Sequence, residues 1–291
     1  MKTAQAFLLI IVLLFCTISC YRFYTLDVFY FEPETVDEYF QPEDIEDWYH
    51  IRWVIPDSLI EPVVLDAKGN KVYGFFVKAP DTIINPVTII FSNGKDKNIN
   101  RYWGWVEILW ECGYNVFNYD YEGYGKSEGS PSDEACYRDK RKAVDYVRAR
   151  NDVDLSRIVY MGLSMGTYVT VYGAADYVKP ALVILESPPA SSTALLKDSY
   201  LLDLPGSYVV DAADFDSEKR IANIGAPLFL MAGEDDDFVV FERNGEILFA
   251  KAKEPKELWL VHGATHTDIK EVVGYDVYRQ KISDFVNTYL P

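Results

Sequence analysis

The sequence has few of the residues that bind metals or form disulfide frameworks. Its 291 residues include three histidines and four cysteines, and their spacing matches no metal site. Basic residues are also scarce, with 28 Lys and Arg against 45 Asp and Glu, which gives a formal charge of −17. A chain of this charge repels the phosphate backbone of nucleic acids. We therefore expect neither a bound metal nor a nucleic-acid partner.

Long hydrophobic runs are absent except at residues 6–18, which read AFLLIIVLLFCTI. A basic start, a short apolar run and a small residue near its end are typical of an export signal. The run is short for a membrane-spanning helix. Ser19-Cys20 also resembles the site at which bacterial lipoproteins are lipidated. We expect an exported or membrane-anchored protein, through a lipid on Cys20, an uncleaved anchor or a cleaved signal peptide.

The rest of the chain divides into an arm and one domain. Residues 21–50 are acidic and aromatic, and we interpret them as an N-terminal arm that packs on the domain. From residue 51 to residue 291, predicted strands alternate with predicted helices. The first two strands form a hairpin around residues 68–70, and later strands are predicted at 87–91, 114–119, 157–161, 181–185, 227–231 and 258–261. This alternation predicts an α/β fold with a mostly parallel central sheet and helices on both faces.

Two helix starts and two cysteines complete this outline. Ser130 is the predicted cap of a helix that runs to about residue 150, and Asp268 with Glu271 predicts a capping box for the last helix. Cys112 ends one predicted helix and Cys136 begins the next, with a strand between them. These points should lie at opposite ends of the sheet, so we expect no disulfide between the two cysteines.

The pattern G-x-S-x-G occurs twice, around Ser127 and around Ser164. In serine hydrolases the nucleophile of this pattern lies on a tight turn between a strand and a helix. Ser164 follows the apolar strand RIVYM and opens a helix, whereas Ser127 lies in a polar loop rich in glycine. The sequence therefore favours Ser164 as the nucleophile.

A serine nucleophile needs a base, and only His50, His262 and His266 are available. His50 lies in the arm, and His262 ends the last strand. His266 follows that strand in a loop that can reach the carboxyl edge of the sheet, where open α/β sheets place their sites. We favour His266. The acid that orients it should follow the strand at 227–231, where residues 234–237 supply four carboxylates, with Asp235, Asp236 and Asp237 as the candidates.

Together these segments resemble the α/β-hydrolase family, in particular the branch of Bem46-like and ABHD12/13/17-like serine hydrolases. The resemblance covers about residues 61–290 and rests on FSNGKDKNIN (91–100), YDYEGYGKSEGSPS (119–132), GLSMG (162–166), GEDDDFV (233–239) and GATHTD (263–268). It implies an α/β-hydrolase fold with a small or minimal lid. It also implies a structural role for the loop of Ser127.

The resemblance further implies acyl transfer to water without a cofactor. Asp236 lies at the family's usual offset after the strand, so the implied triad is Ser164, His266 and Asp236. The backbone N–H groups of Met165 and Lys95 occupy the positions of the oxyanion donors. A small carboxylic ester or thioester is the implied substrate. A peptide or amide hydrolase, or an inactive membrane-tethered binding protein of the same fold, is the alternative.

Two positions depart from the family pattern. Asn93 stands where the family usually has His, which affects the path of the loop that carries Lys95. Glu122 stands where Arg is usual, and we expect it to make the mouth of the site more acidic. The segment between residues 187 and 226 leaves room for a modest acyl pocket, with Leu195, Leu196, Leu201 and Leu202 either lining it or packing as one core face of a helix.

Overall fold

The computed structural model describes residues 30–39, 51–198 and 214–290, apart from the side chains of 196–198. The strands are β1 (Glu32–Pro33), β2 (Ile60–Ala67), β3 (Asn70–Val77), β4 (Thr88–Ser92), β5 (Asp96–Lys97), β6 (Asn115–Tyr119), β7 (Ile158–Leu163), β8 (Leu182–Glu186), β9 (Leu228–Gly233) and β10 (Lys256–Val261). The helices are α1 (Ile99–Glu111), α2 (Asp133–Ala149), α3 (Met165–Tyr172), α4 (Ser192–Asp198), α5 (Ser217–Arg220), α6 (Gly245–Lys251), α7 (Ile269–Val273) and α8 (Tyr275–Tyr289).

Eight of these strands form one sheet in the order β10-β9-β8-β7-β4-β6-β3-β2. The pairings from β10 to β6 are parallel, and β3 pairs antiparallel with both β6 and β2. The chain passes from β4 to β6 on one side and returns to β7 on the other. This is the topological switch point at which doubly wound sheets open a crevice beyond their carboxyl edge.

Two hydrophobic layers cover the two faces of the sheet. The five central strands β4, β6, β7, β8 and β9 are buried along their whole length, as expected for a parallel sheet covered on both sides. Alternate side chains of these strands join opposite layers. One layer contains side chains of α1 and α8, and the other contains side chains of α2, α3 and α6. The predicted α/β fold is therefore confirmed.

Several local predictions differ from the structure. The cap of α2 is Ser132, whose Oγ accepts a hydrogen bond from the Ala135 N–H at 3.1 Å, and not Ser130. Both serines are chemically able to cap, and the helix begins after the second. Asp268 makes no side-chain cap to α7, so the predicted capping box is wrong. The final helical region is broken at Gly274, whose φ of 85° separates α7 from α8.

Residues 30–39 of the arm pack against loops at the carboxyl edge of the sheet. The short strand β1 pairs in parallel with β5, and the Glu32 and Glu34 N–H groups donate to the carbonyls of Lys95 and Lys97. Further along, the Tyr39 hydroxyl donates to the Asp120 carboxylate at 2.7 Å. Residues 40–50 lie outside the described residues, and the division at residue 51 stays a prediction.

Within the described ranges, no helix is both long enough and apolar enough to cross a membrane. The apolar run at residues 6–18 lies outside those ranges, so the expected anchor or signal stays a prediction. Cys112 and Cys136 are both free thiols, as the sequence indicates.

A lysine is fully buried between α2 and the sheet. The Lys140 ammonium donates to the Ser92 hydroxyl at 3.1 Å and lies 4.4 Å from the centroid of the Tyr160 ring. Burial lowers the pKa of Lys140 well below its usual value. The unfolded chain therefore binds more protons than the folded chain between the two pKa values, and the free energy of unfolding falls as the pH falls through that window.

Lys140→Met should remove this pH dependence. We expect the variant to gain stability relative to the wild type as the pH is lowered from about 10 to 7, with a slope difference of up to about 1.4 kcal/mol per pH unit. Urea unfolding across this range measures it, with Lys142→Met, a less buried lysine of the same helix, as the control. Parallel curves for the wild type and Lys140→Met would contradict the prediction.

Candidate active site

Ser164 occupies a strained turn between β7 and α3. Its φ of 52° and ψ of −120° lie in a region that residues with a side chain rarely adopt. Glycines on both sides make the turn possible. A Cβ on Gly166 would overlap the carbonyl oxygens of Ser92 and Asn93, and one on Gly162 would overlap the Gly166 carbonyl. The G-x-S-x-G pattern is therefore required here by close backbone packing.

Backbone hydrogen bonds hold this turn in place. The Ser164 N–H donates to the Glu186 carbonyl at 2.9 Å, which ties the turn to the end of β8. The Ser164 carbonyl accepts from both the N–H and the hydroxyl of Thr167, at 2.9 and 2.6 Å. As the first residue of α3, Met165 has an N–H group without a partner inside the helix. That group belongs to the residue directly after Ser164 in the chain.

His266 contacts both other members of the implied triad. Its Nε2 lies 2.8 Å from Ser164 Oγ, and its Nδ1 lies 2.7 Å from Asp236 Oδ2. The structure thus brings Ser164, His266 and Asp236, which are far apart in sequence, into one hydrogen-bonded chain at the carboxyl edge of the sheet. The predicted residues meet at distances that allow proton transfer from the hydroxyl to the imidazole.

Asp236 is the one carboxylate of the acidic run that turns inward. It is buried, whereas its neighbours Asp235 and Asp237 are exposed. Its second oxygen, Oδ1, accepts from the N–H groups of Phe238 and Val239 at 3.0 and 2.8 Å. These two bonds fix the carboxylate, so Oδ2 points at the imidazole and favours the tautomer with the proton on Nδ1.

The loop of His266 is held by two side chains whose roles no motif in the sequence indicates. The Ser187 hydroxyl donates to the His266 carbonyl at 2.8 Å, and Ser187 itself has a φ of 48°. Asp268 accepts from the N–H and the hydroxyl of Thr265 at 2.6 and 2.8 Å. The Asp268 side chain therefore stabilises the loop before α7 and makes no hydrogen bond to the start of that helix. The one sequence signal that could have identified Ser187 is its position, as a polar residue directly after β8.

The alternative candidates lie elsewhere. Ser127 accepts the Tyr73 N–H at 3.0 Å in a structural loop. His262 is exposed, and its Nδ1 lies 2.5 Å from the Glu234 carboxylate, which raises the pKa of His262. His50 lies outside the described residues.

Lys95 lies beside the triad. Its Nζ is 5.4 Å from the centroid of the Phe238 ring, and that ring packs edge-on against the His266 ring at 5.0 Å. No motif in the sequence indicates the role of Phe238, a partly exposed aromatic side chain next to the imidazole. The roles of the Lys95 and Met165 N–H groups as oxyanion donors stay predictions.

The two departures from the family pattern have distinct structural settings. Asn93 is buried, its amide donates to the Tyr119 carbonyl at 3.2 Å, and its Oδ1 accepts from Asn118 at 2.7 Å. Glu122 is also buried, where it is ion-paired with Arg138 and accepts from Asn70 at 2.7 Å. The expectation that Glu122 makes the site mouth more acidic is therefore wrong, because its charge is neutralised inside the protein.

Of the four candidate pocket leucines, Leu195 is partly buried against the core layer that includes α2 and α3. The other three, and the part of the predicted lid at residues 199–213, lie outside the residues whose side chains the structure describes. Within the described ranges, no group of three or more His, Cys, Asp and Glu side chains could hold a metal ion.

Comparison with known proteins gives the family. Residues 86–201 match the model described as Hydrolase_4, serine aminopeptidase S33. The protein YfhR of Escherichia coli K12 is 34% identical over 235 residues, which cover 78% of this chain and 80% of YfhR. The chain belongs to the α/β-hydrolase family. Human α/β-hydrolase domain-containing protein 17B is 29% identical over 225 residues, covering 77% of this chain and 74% of the relative.

Solved α/β-hydrolase structures share the fold. The Pyrococcus furiosus esterase Pf2001 aligns with a TM-score of 0.66 and 22% identity, covering 89% of this chain and 97% of the esterase. Est1E from Butyrivibrio proteoclasticus, solved with ferulic acid, aligns with a TM-score of 0.64 and 19% identity, covering 78% and 99%. The resemblance stated from the sequence motifs is thus confirmed.

The inward carboxylate gives a matched test within one acidic run. Asp236→Asn should lower kcat for ester hydrolysis by about a thousandfold or more, because an amide in place of Oδ2 favours the wrong imidazole tautomer. Asp235→Asn and Asp237→Asn change neighbouring exposed carboxylates in the same way and should stay within about twofold of the wild type. Steady-state kinetics on one ester measures all three. A similar loss in the three variants would show that Asp236 has no special role.

Proposed function

We propose that the chain is a serine hydrolase that cleaves small carboxylic esters or thioesters through an acyl-enzyme. The observation that carries the proposal is the continuous chain of hydrogen bonds from Ser164 Oγ through His266 to Asp236. A serine hydroxyl is a weak nucleophile alone, and a base within hydrogen-bond reach, oriented by a third group, is the arrangement that activates it.

In the proposed acylation step, Ser164 Oγ attacks the carbonyl carbon of the substrate as its proton passes to His266 Nε2. Asp236 stabilises the imidazolium that forms. The negative charge on the carbonyl oxygen is stabilised by the N–H groups of Met165 and Lys95. When the tetrahedral intermediate collapses, His266 gives its proton to the leaving alcohol or thiol, and the acyl group stays on Ser164.

Deacylation repeats these steps with water. His266 Nε2 takes a proton from the water as its oxygen attacks the acyl carbon, and then returns the proton to Ser164 Oγ as the carboxylic acid leaves. The chemistry uses only groups of this chain and water, so the proposed function includes no metal and no cofactor.

The ester or thioester class is supported by the apolar Phe238 ring beside His266, which suits an acyl group. Among the solved structures of the same fold is one named as an esterase, which also supports this class. The matching family model is named for serine aminopeptidases, which makes an amide or peptide bond the alternative substrate. The second alternative, an inactive binding protein, requires a triad that does not react.

We also propose that the N-terminal segment exports the protein or attaches it to a membrane. The support is the apolar run at residues 6–18 with Cys20 after it. The substrate would then be met outside the cytoplasm or near a membrane surface.

The direct test of the proposed function is labelling of the full chain with a fluorophosphonate, followed by peptide mapping. This reagent phosphonylates a serine that is already activated by its base and oxyanion hole. We expect the label on Ser164, and loss of labelling in Ser164→Ala and His266→Ala. His262→Ala, which changes an exposed histidine of the same region, should be labelled like the wild type.

Absence of label on the folded wild type, or full labelling of His266→Ala, would contradict the proposal. Matched p-nitrophenyl ester, thioester and aminoacyl anilide substrates then separate the ester, thioester and amide alternatives. Hydrolysis of the anilide without hydrolysis of the ester or thioester would favour the aminopeptidase hypothesis.

The N-terminus has its own prediction. If Cys20 is lipidated, the intact mass of the protein isolated from its native cells should equal that of residues 20–291 plus the lipid, and Cys20→Ser should abolish the added mass. An unmodified full-length mass would indicate an uncleaved anchor, and a shorter unmodified mass would indicate a cleaved signal.

A further inference from the structure

The loop after β4 carries the predicted oxyanion donor, and its peptide groups are held by hydroxyl groups. The Tyr121 hydroxyl donates to the Asn93 carbonyl at 2.8 Å, and the Tyr124 hydroxyl donates to the Lys95 carbonyl at 2.8 Å. These two carbonyls belong to the peptides immediately before and after the Gly94–Lys95 peptide. The peptide that contains the Lys95 N–H is therefore bracketed by two fixed neighbours.

The peptide after Lys95 is held at both ends. Its carbonyl accepts a second hydrogen bond, from the Glu32 N–H of the arm at 3.0 Å. Its N–H, which belongs to Asp96, donates to the Tyr102 hydroxyl at 3.2 Å. The same hydroxyl lies 2.7 Å from the position of a Cβ on Gly94, so the loop also packs tightly against the Tyr102 ring.

Tyr102, Tyr121 and Tyr124, which we call the tyrosine collar, are almost completely buried. The rings of Tyr121 and Tyr124 pack edge-on with centroids 5.7 Å apart. A buried hydroxyl that has no partner is costly, so each ring keeps its hydrogen bond to the loop. The collar is a rigid support, since its side chains have little room to change rotamer.

The same loop touches the nucleophile turn. A Cβ on Gly166 would overlap the Ser92 and Asn93 carbonyl oxygens, so the start of α3 lies directly against the Asn93 carbonyl that Tyr121 binds. Lys95 reaches the other side of the triad through Phe238, which packs on His266. The collar therefore supports a loop that contacts the start of α3 through Gly166 and neighbours His266 through Phe238.

We propose that Tyr121 and Tyr124 are positioning residues that orient the Lys95 N–H toward the oxyanion formed at Ser164. The inference rests on the proposed serine hydrolase function. Neither hydroxyl touches the substrate, and each acts through the carbonyl that it binds. An oxyanion donor is effective only when its direction is set before charge develops on the substrate.

This assignment predicts a loss in the chemical step. Tyr121→Phe and Tyr124→Phe keep the buried ring and remove one hydroxyl each. We expect kcat for a p-nitrophenyl ester to fall by about tenfold or more, below the loss for deleting a donor outright, with KM within about twofold. Tyr121→Phe should be the more severe change, because the Lys95 carbonyl keeps the Glu32 N–H when Tyr124 is changed.

The matched control is Tyr137→Phe. Tyr137 is also buried, and its hydroxyl donates to a backbone carbonyl, that of Asp214, at 2.7 Å, away from the loop. This variant loses the same kind of hydrogen bond, so it measures the general effect of the change on stability. Thermal unfolding of all three variants accompanies the kinetics.

A second readout separates positioning from mere loss of stability. An alkyl boronic acid forms a tetrahedral adduct with the serine, and one of its oxygens occupies the oxyanion hole. Its affinity should fall in Tyr121→Phe and Tyr124→Phe by about the same factor as kcat/KM, as expected for a transition-state analogue. It should stay at the wild-type value in Tyr137→Phe.

The outcomes are distinct. If the wild-type protein neither hydrolyses the ester nor is labelled on Ser164, both the proposed function and this inference are contradicted. The second outcome is an active wild type in which the folded Tyr121→Phe and Tyr124→Phe variants match Tyr137→Phe in kcat and boronate affinity. This outcome would contradict the inference and leave the proposed function intact. A selective loss of kcat and boronate affinity in either folded variant supports it.

Discussion

The site depends on the strained turn at Ser164. A serine with a positive φ costs roughly 1 to 2 kcal/mol relative to an ordinary backbone conformation, so the surroundings must hold it. They do so with the bond from the Ser164 N–H to the end of β8, and with the two bonds that Thr167 gives to the Ser164 carbonyl. The glycines at 162 and 166 let β4, β7 and α3 pack closely around the turn.

From this turn the rest of the site follows by position along one sheet edge. Parallel strands end on the same side, so the loops after β4, β7, β9 and β10 meet there although they are far apart in sequence. The sheet brings the groups together, but it does not set their orientation. Local hydrogen bonds set the orientation. Two backbone N–H groups donate to Asp236, and the Ser187 hydroxyl donates to the His266 carbonyl. Two tyrosine hydroxyls donate to the carbonyls of Asn93 and Lys95.

The sequence was informative wherever chemistry follows from local pattern. Apolar runs predicted the buried strands, and the strand–turn–helix context separated Ser164 from Ser127. The sequence was less informative where the environment of a side chain depends on a contact with a residue distant in sequence. Glu122 was expected at the site mouth, yet it is buried with Arg138 of α2. No spacing in the sequence shows that Tyr121 and Tyr124 will meet the two carbonyls beside Gly94. Likewise Ser130 and Ser132 are equal as caps until the helix start is known.

The acidic arm forms ion pairs with the loops around the candidate site, although it contains none of the sequence motifs of that site. Three of its carboxylates pair with lysines of the loops around the site: Glu32 with Lys95 at 2.8 Å, Glu34 with Lys97 at 3.5 Å and Glu38 with Lys126 at 2.9 Å. Exposed pairs of this kind contribute little stability one at a time. The pairs also neutralise positive charge on these loops, which weakens the attraction of anions to them. The arm thereby links the acidity of the whole chain to the electrostatic potential at the candidate site.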